Sequence, residues 1–156
     1  DIMTNDENYG AKYEALNIAN YVVYYSNKNR YSISNLRLQK LLYFIQAYFL
    51  YSFGKACFKD EIEAWAFGPV VPEVYHKYKK YGAGSIPYLN YDGAEIFNIN
   101  NSDKEAINLV IKKLSKYSVY DLVEATHKQG PWESVYDKNT RSAIISKESI
   151  KDYFNA

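Results

Sequence analysis

Residues 61–82, EIEAWAFGPVVPEVYHKYKKYG, change their hydrophobic period partway along and so prescribe a change of backbone conformation. Residues 62–67 alternate two kinds of side chain, the period-two pattern of a short strand with two different faces. Gly68 and Pro69 stop this pattern, because proline lacks the N–H that a strand ladder needs and glycine permits a sharp turn. Beyond them the apolar spacing is helical, with Pro72 suited to the first turn and Gly82 to the end. The stretch predicts a strand, a corner and a helix that form a rigid, aromatic-lined element.

Residues 35–53 predict a central helix, because apolar side chains cover nearly all of its faces. Ser34 is a suitable N-cap and Gly54 a suitable end. Four polar residues interrupt the segment well within the length that a bilayer requires, which argues against a transmembrane helix: Arg37, Gln39, Lys40 and Gln46. These side chains either satisfy backbone groups of the adjacent hairpin or extend to water, or they form a ligand-binding stripe.

Four further helices are predicted from periodicity and from N-terminal capping residues. Residues 13–27 carry apolar side chains on one face and form an amphipathic helix. The next two begin near residues 102 and 118, and the last precedes the end of the chain. Their predicted capping residues are Ser102 with Glu105, Ser118 with Asp121, and Ser146.

The predicted β structure is small. Residues 86–89 and 95–99 are candidate strands, and we expect one of them to pair with residues 62–67. A chain of 156 residues is long enough for one domain with a real core. The predicted fold is mainly α, a single compact helical domain around a buried central helix, with a small β-hairpin or sheet element. Residues 1–12 are expected to be a flexible N-terminus and residues 13–156 the domain.

The composition argues against several classes of partner. Charged residues make up 24% of the chain and nearly cancel to a net charge of +1, so no nucleic-acid partner is expected. No membrane association is expected either. The lone Cys57 has no second cysteine with which to form an internal disulfide, which favours a reducing, cytoplasmic location.

Residues that could carry chemistry are few. His76 and His127 lie far apart in sequence and outside any cluster with metal-ligand spacing, so neither a metal nor a cofactor is expected. Glu124 lies one helical turn before His127, and such a pair can act as a general acid and base. Alternatively, His127 interacts with the end of the helix dipole and packs its ring on an aromatic neighbour. On these residues we expect that the protein is not an enzyme.

The aromatic surplus is the strongest indication of function. The chain has 18 tyrosines, more than a core of this size needs, and tyrosine supplies a large contact area at low entropic cost. Lysines interleave with tyrosines over residues 75–81, a pattern that suits single-stranded nucleic acid but more simply forms the solvated face of a helix. The residues therefore predict a protein-binding surface.

Four segments, taken in order, resemble the Panacea domain, also called the SocA-like antitoxin domain. They are LRLQKLLYFIQAYFL at 36–50, EIEAWAFGPVVPEVYHKYKKYG at 61–82, THKQGPW at 126–132 and ISKESIKDYF at 145–154. The resemblance implies a mostly helical domain of bacteria and phages that neutralises a toxin encoded by a neighbouring gene. It also implies an alternative, since some members deliver the toxin to a Clp protease as proteolytic adaptors.

The resemblance and the aromatic surplus together give the expected site. We expect direct binding and neutralisation of a cognate protein toxin by an aromatic surface formed by Trp65, Phe67, Pro69, Tyr75, Tyr78, Tyr81 and Trp132. A second group of residues is expected to build the motif itself: Gln39, Lys40, Gly68, Pro72 and His127. A small enzyme that uses the Glu124 and His127 pair is a further alternative.

Overall fold

The computed structural model describes residues 9–89, 97–140 and 142–155, and within them it is mainly α, as predicted. The helices are α1 (Ala15–Lys28), α2 (Asn35–Phe53), α3 (Pro72–Tyr78), α4 (Asn101–Leu114), α5 (Val119–His127), α6 (Gly130–Glu133) and α7 (Lys147–Asn155). The strands are β1 (Ile62–Trp65), β2 (Gly68–Val70) and β3 (Ile144–Ile145). A 3-10 turn, Lys79–Tyr81, extends α3 as far as Gly82.

Helix α2 is the centre of the molecule. The Ser34 hydroxyl accepts a hydrogen bond from the Arg37 N–H at its start, and Gly54 ends it in the left-handed conformation at φ 67°. Helices α1, α4, α5 and α7 and strand β2 all pack on α2. Most of its side chains are therefore buried around the circumference, as its uniform hydrophobicity predicts, whereas Tyr51 and Phe53 in its last turn are exposed.

The hairpin differs from the predicted strand and corner. Gly68 and Pro69 do not end the β structure, since they begin β2, which pairs antiparallel with β1. Trp65 lies opposite Gly68, so Ala66 and Phe67 form a two-residue turn. Proline is tolerated because β2 is the edge strand of a sheet with the order β2-β1-β3.

The third strand also differs from the prediction. Strand β1 pairs with β3, with Ile62 opposite Ile145, and not with the segment near residue 86 or 99. Residues 86–89 form no strand, and the Ile86 N–H donates instead to the Ile33 carbonyl at 2.8 Å. Residues 97–99 also form none, and Asn98 has φ 55°, which is incompatible with an extended strand. The rest of the second candidate strand lies outside the described residues.

Local capping chemistry sets the helix starts. Ser118 and Asp121 form the predicted capping box of α5, and the Ser146 hydroxyl accepts the Ser149 N–H at 3.0 Å. The box predicted at Ser102 is wrong, because Asn100 caps α4 by accepting the Asp103 N–H at 2.8 Å. None of the helices over residues 9–89, 97–140 and 142–155 combines the length and the hydrophobicity of a bilayer-spanning segment.

Candidate functional site

Side chains from α2 bind the backbone of the hairpin on its inner side. The Lys40 Nζ donates to the Pro69 carbonyl at 2.8 Å, and the Gln39 Oε1 accepts the Val71 N–H at 2.9 Å. Gln39 in turn donates to Asn35 at 2.9 Å, whose amide donates to the Tyr75 carbonyl of α3 at 3.1 Å. Gln39 and Lys40 therefore satisfy backbone groups of strand β2 and of Val71, which follows it, as one of the two interpretations of the sequence predicts.

Side chains of α5 and α6 bind the hairpin turn from the other side. The Trp132 indole N–H donates to the Trp65 carbonyl, and the His127 Nε2 contacts the Ala66 carbonyl, both at 2.8 Å. A carbonyl oxygen accepts only, so this contact assigns the His127 proton to Nε2. The His127 ring stacks on Trp132 with centroids 4.2 Å apart, and Trp132 stacks on Tyr136 at 4.5 Å. The two peptide carbonyls that lead into the turn are thus fixed by a stack of three rings.

Gly68 lies where these two sets of supports meet. A Cβ atom at this position would lie 2.7 Å from the Lys40 Cε and 2.8 Å from the Thr126 hydroxyl. Its φ of 105° is also one that side chains rarely adopt. Glycine is therefore required here by both space and backbone conformation, and it lets α2 and α5 approach β2 closely.

Lys40 is an ionisable group in an unusual environment, because it is buried in the core. Its side chain is 0% exposed, and within the described residues it forms no ion pair. Burial lowers the pKa of Lys40 from 10.5 to about 7. A buried amine with such a pKa can serve as a base or nucleophile, but this one is enclosed against Gly68 and cannot contact a substrate.

The other polar residues of α2 and α5 also have structural partners. The Gln46 Oε1 accepts the Cys57 N–H at 2.6 Å, and its amide donates to the Phe58 carbonyl at 2.9 Å. Glu124 accepts the Tyr120 hydroxyl at 2.9 Å and pairs with Lys128 at 3.7 Å, while His127 contacts the hairpin. Over residues 9–89, 97–140 and 142–155, no group of three or more histidines, cysteines and carboxylates could hold a metal ion.

The residues expected to bind a toxin divide into two layers. Phe67 is 66% exposed, and Tyr75 and Tyr81 are half-buried. The other four are buried beneath them: Trp65, Pro69, Tyr78 and Trp132. Trp65 packs edge-on against Tyr75 at 5.0 Å. The half-buried Pro72 occupies the first turn of α3, as predicted.

A groove runs beside the turn and adds residues that the sequence did not indicate. It has a volume of about 290 Å³ and is lined in part by Phe67, Tyr75, Leu36, Tyr136, Lys138 and Thr140. The spacing of Trp132 and Tyr136, one helical turn apart, was the available signal for Tyr136. Lys138 and Thr140 had no such signal, because they belong to a loop that folds back on the hairpin.

Known proteins are similar to the part of the chain that contains the hairpin and its supports. The family model described as "Antitoxin SocA-like, Panacea domain" matches residues 38–133, which include the hairpin and the residues that bind its backbone directly, Gln39, Lys40, His127 and Trp132. Antitoxin SocA of Caulobacter vibrioides (strain NA1000 / CB15N) is 35% identical over 114 residues, covering 66% of this chain and 60% of the relative. No solved structure matches. The resemblance inferred from the sequence is confirmed, and the chain belongs to the SocA-like antitoxin, or Panacea domain, family.

Proposed function

We propose that this protein is an antitoxin that binds a cognate protein toxin directly through the turn of its β1–β2 hairpin. Membership of the family and the similarity to antitoxin SocA support the role. The observation that carries the choice of surface is Phe67, whose ring is 66% exposed on a turn of fixed backbone. The toxin is the product of a neighbouring gene, in a bacterium or a phage.

The physical argument is preorganisation. A partner that buries Phe67 gains the hydrophobic free energy of a large side chain. It need not order the turn, because Trp132 and His127 already hold the carbonyls of Trp65 and Ala66. Tyr75 and Tyr81 extend the contact surface, while the groove beside Tyr136 offers a recess for a side chain of the toxin.

Neutralisation by binding requires no reaction from this chain. The three groups that sequence or burial suggest for catalysis are Lys40, Glu124 and His127, and each is engaged in contacts within the domain. In this proposal the protein acts in the cytoplasm and needs no cofactor. Its net charge of +1 gives no general attraction to nucleic acid.

The test combines growth rescue with co-purification. The neighbouring gene product is expressed with wild-type protein, with Phe67→Ser and with Tyr120→Ser. Tyr120 is a matched control, since it is an aromatic residue of 67% exposure on α5. We expect Phe67→Ser to lose rescue and to weaken the complex by at least about 30-fold, as for a central interface residue, while Tyr120→Ser retains both. Rescue by Phe67→Ser with an unchanged complex would place the toxin-binding surface elsewhere.

The same cells distinguish binding from delivery to a protease. Sequestration predicts that the toxin keeps its half-life when the protein is present. The adaptor alternative predicts a shorter half-life that returns to normal when the Clp protease is deleted. If the neighbouring gene product is not toxic, or is toxic but not neutralised, the proposed antitoxin activity is wrong and only the family membership stands.

A further inference from the structure

A stripe of the central helix α2 is accessible between α4 and α7. This stripe forms the floor of a groove of about 280 Å³, here named the α2 groove. The lining residues are Phe44, Ala47, Tyr48 and Tyr51 of α2, Val110, Lys113 and Leu114 of α4, and Phe154 of α7. We propose that the α2 groove binds an amphipathic helix of a partner protein, with the apolar side of that helix in the groove and a carboxylate beside Lys113.

The spacing of the floor residues favours a helix as the occupant. Residues 44, 47, 48 and 51 follow the i, i+3, i+4, i+7 pattern, so their side chains form one stripe along α2. Helices α4 and α7 both pack on α2 and provide the two walls. A further helix in the groove would pack on α2 as these neighbours do, and amphipathic helices commonly bind in grooves between helices.

The groove is apolar, and contacts within the domain hold its walls in place. Tyr51 is 56% exposed on the floor. The Phe154 ring packs on Tyr43 with centroids 6.3 Å apart, and the Leu114 carbonyl accepts an N–H of Arg37 at 3.3 Å, which holds the end of α4 near the start of α2. A partner therefore gains hydrophobic free energy by covering these side chains and does not have to order the groove.

The charge of the groove indicates which kind of helix fits. Lys113 is the one charged residue that the structure places in the lining, and the adjacent Lys112 is also exposed. Neither lysine forms an ion pair with residues 9–89, 97–140 or 142–155. A helix with a carboxylate beside its apolar side supplies the complementary charge. A second copy of this chain fits less well, because a two-fold contact would place two Lys113 side chains and no carboxylate of the lining in one interface.

The test is fluorescence polarisation with a labelled peptide of about 18 residues, long enough to form a helix. The peptide has leucines at the i, i+3, i+4, i+7 spacing and glutamates beside them, and a second peptide has lysine in place of each glutamate. We expect the wild type to bind the glutamate peptide saturably and about tenfold more tightly than the lysine peptide. Tyr51→Ser should weaken this binding about tenfold, as for an aromatic interface residue, and Lys113→Glu should reverse the preference between the peptides.

Tyr120→Ser and Lys79→Glu are matched controls, because they change an exposed tyrosine and an exposed lysine outside the groove. Both should bind the glutamate peptide like the wild type, and melting curves check that every variant folds. Absence of saturable binding, unchanged binding by Tyr51→Ser or an unchanged preference in Lys113→Glu would overturn the proposal. A wild-type dimer that Tyr51→Ser converts to a monomer would also overturn it and assign the groove to a second copy. The toxin is absent from these measurements, so they do not depend on the proposed antitoxin function.

Discussion

At the tip of the hairpin, Phe67 extends its ring into solvent, whereas the next residue, Gly68, is buried against the Lys40 side chain and the Thr126 hydroxyl. The side chains at this tip can be substituted, because the hydrogen bonds that hold the turn are made to its peptide carbonyls. The strand that follows has no such freedom, because every atom added at Gly68 meets a neighbour. Two adjacent residues therefore have different roles: Phe67 offers a surface to a partner, and Gly68 makes a contact that the fold requires.

The largest expected effect is at Gly68. Gly68→Ala adds a Cβ that clashes with Lys40 and Thr126 in a backbone conformation that alanine disfavours. We expect a loss of about 4 kcal/mol in the free energy of unfolding, from overpacking and backbone strain together. Denaturant unfolding measures it. Gly54→Ala is the control, because Gly54 also has a positive φ but nothing within 4 Å, and it should cost only about 1 kcal/mol. Equal losses at both glycines would remove the packing argument.

A substitution at Trp132 tests how much its hydrogen bond to the hairpin contributes to stability. Trp132→Phe keeps a ring but removes the N–H that binds the Trp65 carbonyl. Leaving that carbonyl unpaired and reducing the packed area should cost about 2 to 3 kcal/mol. Tyr136→Phe removes only a hydroxyl from the same ring stack and should stay within about 0.5 kcal/mol. Thermal unfolding compares the two variants, and similar stabilities would show that the indole bond contributes little.

The pH dependence of stability tests the enclosed side of the hairpin. The pKa of Lys40 is about 7 in the folded protein and 10.5 as its ordinary value, so the unfolded chain binds more protons between these two pH values. The Lys40 penalty is therefore complete below pH 7 and diminishes as pH rises, which increases stability. From pH 7 to about pH 9, the wild type should gain about 2 kcal/mol relative to Lys40→Met.

Urea unfolding at several pH values measures this difference. The comparison with Lys40→Met removes the contributions of other groups, such as Cys57, whose thiol pKa is raised by burial. The control Lys79→Met, at an exposed lysine, should keep the wild-type dependence. A constant difference between wild type and Lys40→Met would mean that the buried ammonium stays charged throughout.

The smallest effect on stability is expected at Phe67. Phe67→Ser removes a ring that is mostly in solvent and should change the free energy of unfolding by less than about 0.5 kcal/mol. Thermal unfolding checks this. The result matters for the proposed function, because a stable Phe67→Ser protein that no longer neutralises the toxin has lost a contact and not its fold. A large loss of stability would make Phe67 part of the folded core.

Local features were predictable and non-local ones were not. Ser34, Gly54 and the Ser118 capping box were readable because each acts on residues within one helical turn. The edge position that permits Pro69 in a strand is a property of the whole sheet, and the pairing of Ile62 with Ile145 joins distant residues. Neither feature can be predicted from a short stretch of sequence.

The candidate sites show the same division. The family motif identified the residues around the hairpin, but the bond from Trp132 to Trp65 spans 67 positions and gives no local pattern.

The bonds that fix the hairpin turn end on main-chain oxygens, which every amino acid carries. Positions 66 and 67 can therefore be exchanged for other residues without disturbing His127 or Trp132. Such a turn is suited to selection from a randomised library, since variants differ in the surface that they present and share one scaffold. The same property would let a lineage retarget its antitoxin by point substitutions at two adjacent positions while its core stays unchanged.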